Sequence, residues 1–159
     1  MVLWITELFE SGGREVAERL ARRMDVPLYD LDTQPETRVP EDLQDGIVLD
    51  ACAFWSTPAE DAAMILLHSS MVCRSGRLSR MQDMTLEAAE REVLRRDRER
   101  AMLFGTRTGR PWPDYSGSDL VVDVGKLGLQ ATEELLIQYV AMKTMRRRRK
   151  EGSGWAEVL

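Results

Sequence analysis

Ser11-Gly12-Gly13-Arg14-Glu15 is the stretch of this chain best suited to chemistry. It follows an apolar run, Val2-Leu3-Trp4-Ile5, and precedes Val16, Ala17, Leu20, Ala21 and Met24, which recur at helical spacing. A buried strand that turns through glycines into a helix presents backbone N–H groups to an anion, and the helix dipole favours that charge. Glycine serves where a side chain would block the approach. The chemistry implied is the holding of phosphate. The full phosphate-loop pattern is GxxxxGK[ST]. Here Glu7 and Glu10 stand where glycine or small residues are wanted, and Arg14 rather than lysine follows Gly13. The alternative is a β-α turn with a glycine start and no ligand.

The second candidate is an arginine island. Arg91 to Arg110 holds seven arginines against three acids, whereas Met1 to Ser70 holds five basic residues against fourteen acidic ones. An acidic body with one basic island is not expected to grip nucleic acid broadly. The island suits closure on a small polyanion, or a solvated helix face with i,i+4 ion pairs. His68 follows an apolar run but has no paired nucleophile or metal partner in the pattern. Asp30, Asp32 and Asp50 fall near strand ends, as magnesium ligands or as loop and cap residues. No metal cluster is expected.

These residues need a scaffold. Pro27-Leu28-Tyr29, Ile47-Val48-Leu49, Met64 to Leu67 and Asp119 to Val124 read as further strands. Asp25 and Pro27 end the first helix. Thr57 and Pro58 suggest a short helix start, and two short helical segments are expected around Val72 to Met81. Thr85 caps a longer helix to Phe104, with Leu86, Ala89, Val93, Ala101 and Phe104 on its inner face. Gly105 to Ser118 reads as a loop. Gly128 to Met145 reads as a helix with Leu135, Leu136, Tyr139 and Met142 in its stripe. Met64, Met71, Met81 and Met84 read as core fillers. Strands separated by helices predict a parallel sheet with helices on both faces.

A length of 159 residues suits one domain, and 43% hydrophobic with 31% charged residues reads as soluble and globular. No apolar run approaches a membrane span, and the start lacks signal-peptide order. Cys52 and Cys73 lack metal spacing, so reduced thiols and a cytoplasmic setting are expected. The run Arg146 to Lys150 is open to three readings: helix-end cations, a patch for an acidic partner, or a solvated tail. Gly152-Ser153-Gly154 reads as a flexible break, and Trp155 to Leu159 as a loose or docking end. Residues 1–145 are expected as the domain and 146–159 as a basic, flexible tail.

From Val2 to about Leu136 the chain resembles the cytidylate kinase-like family, a branch of the nucleoside monophosphate kinases. Ser11-Gly12-Gly13-Arg14-Glu15-Val16-Ala17 resembles that family's variant phosphate loop, which does not carry the usual lysine. Pro27-Leu28-Tyr29-Asp30 matches its next strand. Asp97-Arg98-Glu99-Arg100-Ala101, Thr108-Gly109, Trp112, Tyr115, Asp119-Leu120-Val121-Val122 and Lys126-Leu127-Gly128 match its lid helix, lid loop and final strand in order.

The resemblance implies an α/β, three-layer P-loop kinase-like fold: a five-stranded parallel sheet, helices on both faces and an arginine-bearing lid over residues 85–118. It implies that Ser11, Gly12, Gly13, Arg14 and Glu15 hold a donor nucleotide, with ATP and Mg²⁺ as donor. Arg96 and Arg100, one turn apart, then reach the transferring phosphoryl group as catalytic residues. A CMP-like or other small phosphorylated acceptor is the implied partner. Two departures matter. Glu10 replaces the glycine expected before Ser11, and Asp50-Ala51-Cys52-Ala53 lacks the arginine that would hold an acceptor monophosphate. The segment 32–46 is also short for an acceptor cover. Three functions follow: a working kinase, a degenerate relative that binds without chemistry, or an interaction protein that forms a homodimer.

Overall fold

Val2–Glu7 forms the central strand, β1, because its apolar residues are flanked on both sides by other strands. In the computed structural model, residues 1–50 and 62–152 are described. The remaining strands are β2 (Leu28–Asp30), β3 (Gly46–Leu49), β4 (Ala63–His68) and β5 (Leu120–Asp123). They pair in parallel in the order β2-β3-β1-β4-β5. Leu3 lies between Ile47 and Ala63, and Ile5 between Leu49 and Ile65. All five strands expected from the apolar runs are present.

The helices are α1 (Gly13–Met24), α2 (Met71–Gln82), α3 (Leu86–Thr108), α4 (Val124–Leu127) and α5 (Leu129–Gly152). Val16, Ala17 and Leu20 of α1 share one core with Leu3, Ile5, Ile47, Ile65 and Leu136, all shielded from water. Thr6, Val48 and Leu66 on the opposite sheet face are equally buried, so both faces are covered. A second small core joins Leu78 of α2 to Ala89 and Val93 of α3, with Phe9 packed against it. Arg19 and Arg23 of α1 donate to Glu133 of α5 at 2.7 and 3.2 Å, and these bonds hold the Glu133 carboxyl below its usual range.

The helix ends follow their sequence signals. Asp25 and Asp83 close α1 and α2 in the left-handed region, at φ 54° and 51°. Ser70 and Thr85 cap α2 and α3 by accepting from the N–H groups of Cys73 and Ala88 at 3.2 Å. Three expectations need correction. Val72 to Met81 is one helix, because Ser75 donates its hydroxyl back to the Met71 carbonyl at 2.8 Å and Gly76 continues the turn. The helix begun at Thr85 runs on to Thr108, so Gly105 to Thr108 is helical and the loop starts at Gly109. Leu86 is exposed, as are Met81, Leu135 and Met142, while Ala89, Val93, Phe104 and Leu136 are buried as expected.

The last helix also passes Met145 and reaches Gly152, so Arg146 to Arg149 sit on exposed helical turns. The helix start read at Thr57-Pro58, the Ala51-Cys52-Ala53 stretch and the end from Ser153 to Leu159 lie outside the described residues.

Candidate functional site

The site lies at the carboxyl end of β1, where the strand order reverses and where α/β sheets place their ligands. Leu8, Phe9, Glu10 and Ser11 carry the chain from β1 into α1, and the Ser11 N–H donates to the Leu8 carbonyl at 2.9 Å. Gly12 is the N-cap of α1 at φ 91°, a left-handed backbone that glycine adopts without steric cost. A Cβ there would also stand 3.0 Å from a Leu129 methyl. The bend therefore has the form expected of a phosphate loop.

Its anion is already present. The Gly13 N–H donates to Oε2 of Glu7 at 2.7 Å, inside the fold. Glu7 is only 8% exposed. Its carboxylate takes the seat at the positive end of α1 that a phosphate oxygen would take. A Cβ on Gly13 would meet the Glu7 side chain at 2.8 to 2.9 Å. Gly13 thus makes room for a carboxylate of this chain. Glu10, singled out with Glu7 as an obstacle, makes no bond to the Gly13 amide in the structure and pairs with Arg77 at 3.4 Å. The signal for Glu7 is in the strand period: Leu3, Ile5 and Glu7 share the face that α1 covers.

Burial pushes the Glu7 carboxyl up to about 7. The Gly13 hydrogen bond and the charge of Arg100 pull it back down, and the charges of Asp32 and Glu10 raise it further.

Glu10 sits at φ 61°, where glycine was expected. A side chain in that conformation costs about 1 kcal/mol. Glu10→Gly is therefore expected to stabilise the fold by roughly 0.5 kcal/mol, once the lost ion pair and the looser unfolded chain are counted. Urea midpoints of the two proteins measure it, and a lower midpoint for the variant contradicts the strain.

The other candidate residues gather around the same bend, and each of the charged ones has a partner inside the protein. Arg14 pairs with Asp30 and donates to Thr33 at 3.2 Å. Glu15 accepts from Arg77 at 2.7 Å. Ser11 is 4% exposed, and its hydroxyl has no hydrogen-bond partner among the described residues. Arg96 donates to Glu92 at 3.0 Å and lies over the Phe9 ring at 5.4 Å from its centre. Bonds from Arg95 and Arg96 hold the half-buried Glu92 carboxyl at about 2. Arg100 donates to the main-chain carbonyl of Glu7, contacts Asp32 at 3.4 Å and lies over Trp112. A cavity of about 290 Å³ brings together Glu7, Gly12, Arg14, Arg96 and Arg100. A neighbouring cleft of about 580 Å³ extends past Arg96 and Arg100 to Leu31, Pro35 and Leu103.

Asp30 is a loop cap: its carboxylate accepts from the N–H groups of Asp32 and Thr33 at 3.1 Å. His68 meets Tyr115 edge-on, with ring centres 6.4 Å apart. Sequence reasoning missed Arg74. It is buried in α2 and makes a two-bond pair with Asp97 of α3, both bonds at 2.9 Å. No group of three or more His, Cys, Asp or Glu suited to a metal occurs among the described residues. No helix among them is long and apolar enough to cross a membrane.

The sequence matches no protein-family model and no curated protein. Among solved structures it is similar to an uncharacterized protein from Eubacterium ventriosum ATCC 27560, at 17% identity and TM-score 0.78, over 89% of this chain and 98% of that one. It is similar to shikimate kinase from Bacteroides thetaiotaomicron at 11% identity and TM-score 0.52, with the same coverage. A gluconokinase from Sinorhizobium meliloti 1021 superposes more loosely, at 13% identity and TM-score 0.46, over 87% and 96% of the two chains. The fold is α/β and P-loop kinase-like, with a five-stranded parallel sheet between helical layers and an arginine-bearing α3 over its carboxyl edge.

Proposed function

We propose that this chain is a kinase-fold binding protein that has lost phosphoryl transfer, a degenerate relative of the cytidylate kinase-like proteins. One observation carries the reading: the Gly13 amide at the start of α1 is held by the Glu7 carboxylate. Phosphoryl transfer depends on positioning the phosphates and on positive charge around them. Above pH 7 the turn offers an ionised carboxylate where a phosphate oxygen must rest, with Glu10, Glu15 and Asp32 lining the same cavity. The arginines that would supply charge are engaged: Arg14 by Asp30, Arg96 by Glu92, and Arg100 by Asp32 and the Glu7 carbonyl. ATP with Mg²⁺, the donor such a fold implies, does not fit the ionised site, so no transfer step is assigned to it. In this reading residues 85–118 remain as a lid and 32–46 as a shortened acceptor segment.

The test is titration with ATP–Mg²⁺ and then CMP at pH 8, with ADP formation followed alongside. No CMP-dependent ADP is expected. CMP-dependent ADP formation that disappears in Arg100→Ala would restore the working kinase and overturn the reading.

A further inference from the structure

Every charged group around the bend has a settled place except one, which is held in two opposed ways. Glu7 is drawn to the positive end of α1, yet it lies in a dry position with Asp32 and Glu10 for neighbours. The facing groups come from every adjoining element. Arg100 on α3 attracts it, Asp32 after β2 repels it, and Glu10 in the turn repels it. Arg14, Arg96 and Arg77 line the same cavity. A group so placed exchanges its charge for a proton at small cost. The geometry sets what happens next, because the bond it makes is the one an oxyanion would make.

We infer that Glu7 is a proton-operated latch on an oxyanion seat: ionised, it holds the Gly13 amide and shuts the seat, and protonated, it yields that amide to a dianion. The inference rests on the non-catalytic reading of the same site and adds its regulation. The Gly13 bond loses its charge assistance when Glu7 takes up a proton, and such bonds are roughly half as strong when neutral. The repulsion between Glu7 and an incoming anion vanishes at the same moment. Arg96 and Arg100 border the cavity, each paired with a carboxylate of this chain, and Glu10, Glu15 and Asp32 line it too. The ligand class is a small tetrahedral dianion, free or as the terminal group of a phosphorylated metabolite. The ionised latch rejects it.

Sulfate is the probe, because its charge does not change between pH 5.5 and 8.5. Affinity scales with the fraction of protein in the competent, protonated form. For a carboxyl that titrates at about 7, sulfate affinity is expected to rise about tenfold from pH 8 to pH 6. The Gly13 amide resonance reports the seat directly. Glu7→Gln, a neutral mimic, is expected to bind sulfate equally at both pH values, at the strength of the acid wild type. Glu7→Ala serves the same purpose if the Gln side chain itself holds the amide. A wild-type affinity flat across pH, or a pH dependence that persists in both variants, overturns the latch. So does a folded Glu7→Ala that binds no sulfate. ATP turnover at pH 8 would sink the non-catalytic reading and the latch together, whereas a flat sulfate profile without turnover would sink the latch alone, so the two failures are distinct.

Discussion

Replacing Glu7 by Gln is expected to stabilise the protein by about 2 kcal/mol at pH 8 and to destabilise it by roughly 1 kcal/mol below pH 4.5. The carboxyl titrates at 4.5 in an unperturbed chain and at about 7 in the fold. Below 4.5 it is protonated in both states and contributes nothing to the pH dependence. Between 4.5 and 7 the folded protein binds more protons than the unfolded chain, so stability falls as pH rises. Above 7 both states are ionised, and the fold bears the whole cost of the buried charge. That cost is on the order of 3 kcal/mol. A glutamine escapes it but must bury an amide NH₂, which takes back roughly 1 kcal/mol. Urea unfolding of both proteins at pH 4 and pH 8 provides the measurement. Parallel stability profiles would show that Glu7 is not buried as a charge.

Asp97→Ala is expected to cost about 3 kcal/mol, the largest loss predicted from a single surface-accessible carboxylate here. The Arg74 side chain is 6% exposed, and both of its bonds to Asp97 are lost together. What remains is a guanidinium held by the Phe9 carbonyl at 3.3 Å, with its Nε already unpartnered. Breaking a buried pair from one side costs about 3–5 kcal/mol, and the partial exposure of Asp97 sets the lower end. Arg74→Met in the Asp97→Ala background should recover more than half of the loss, because an apolar pair needs no counter-charge. Recovery by the second substitution separates an orphaned charge from lost packing. A single-variant cost below 1 kcal/mol would contradict the account. Asp97 lies between Arg96 and Arg100, so this pair also fixes how α3 presents both.

The scaffold was legible because parallel strands buried on both faces read as continuous apolar runs. Ile47-Val48-Leu49 and Met64 to Leu67 have no other stable place. Helix α2 was harder: Ser75, Gly76 and Ser79 break its apolar pattern, and the hydroxyl bond from Ser75 back to the Met71 carbonyl appears only in three dimensions. The stripe of α5 misled for a different reason. Leu135 and Met142 keep helical spacing, yet they face solvent while Leu136 faces the core. At the site, the glycines announced an anion seat but not its occupant. Glu10 drew attention because it replaces an expected glycine. The occupant is Glu7, which also departs from the loop pattern and shares parity with Leu3 and Ile5. The Glu92 partner of Arg96 follows the i,i+4 reading of the helix face, whereas the partners of Arg14 and Arg100 could not be read, since Asp30 and Asp32 come to them from distant turns.

Arg100 grasps the peptide oxygen of Glu7 and leaves the titrating carboxylate to Gly13. A peptide oxygen keeps its dipole at any acidity. The clasp between α3 and the end of the central strand therefore persists whether or not the carboxylate beside it is charged. Acidification would empty the pocket's throat without loosening its roof, and an entering anion would have to pass beneath a fixed beam instead of through an opening door.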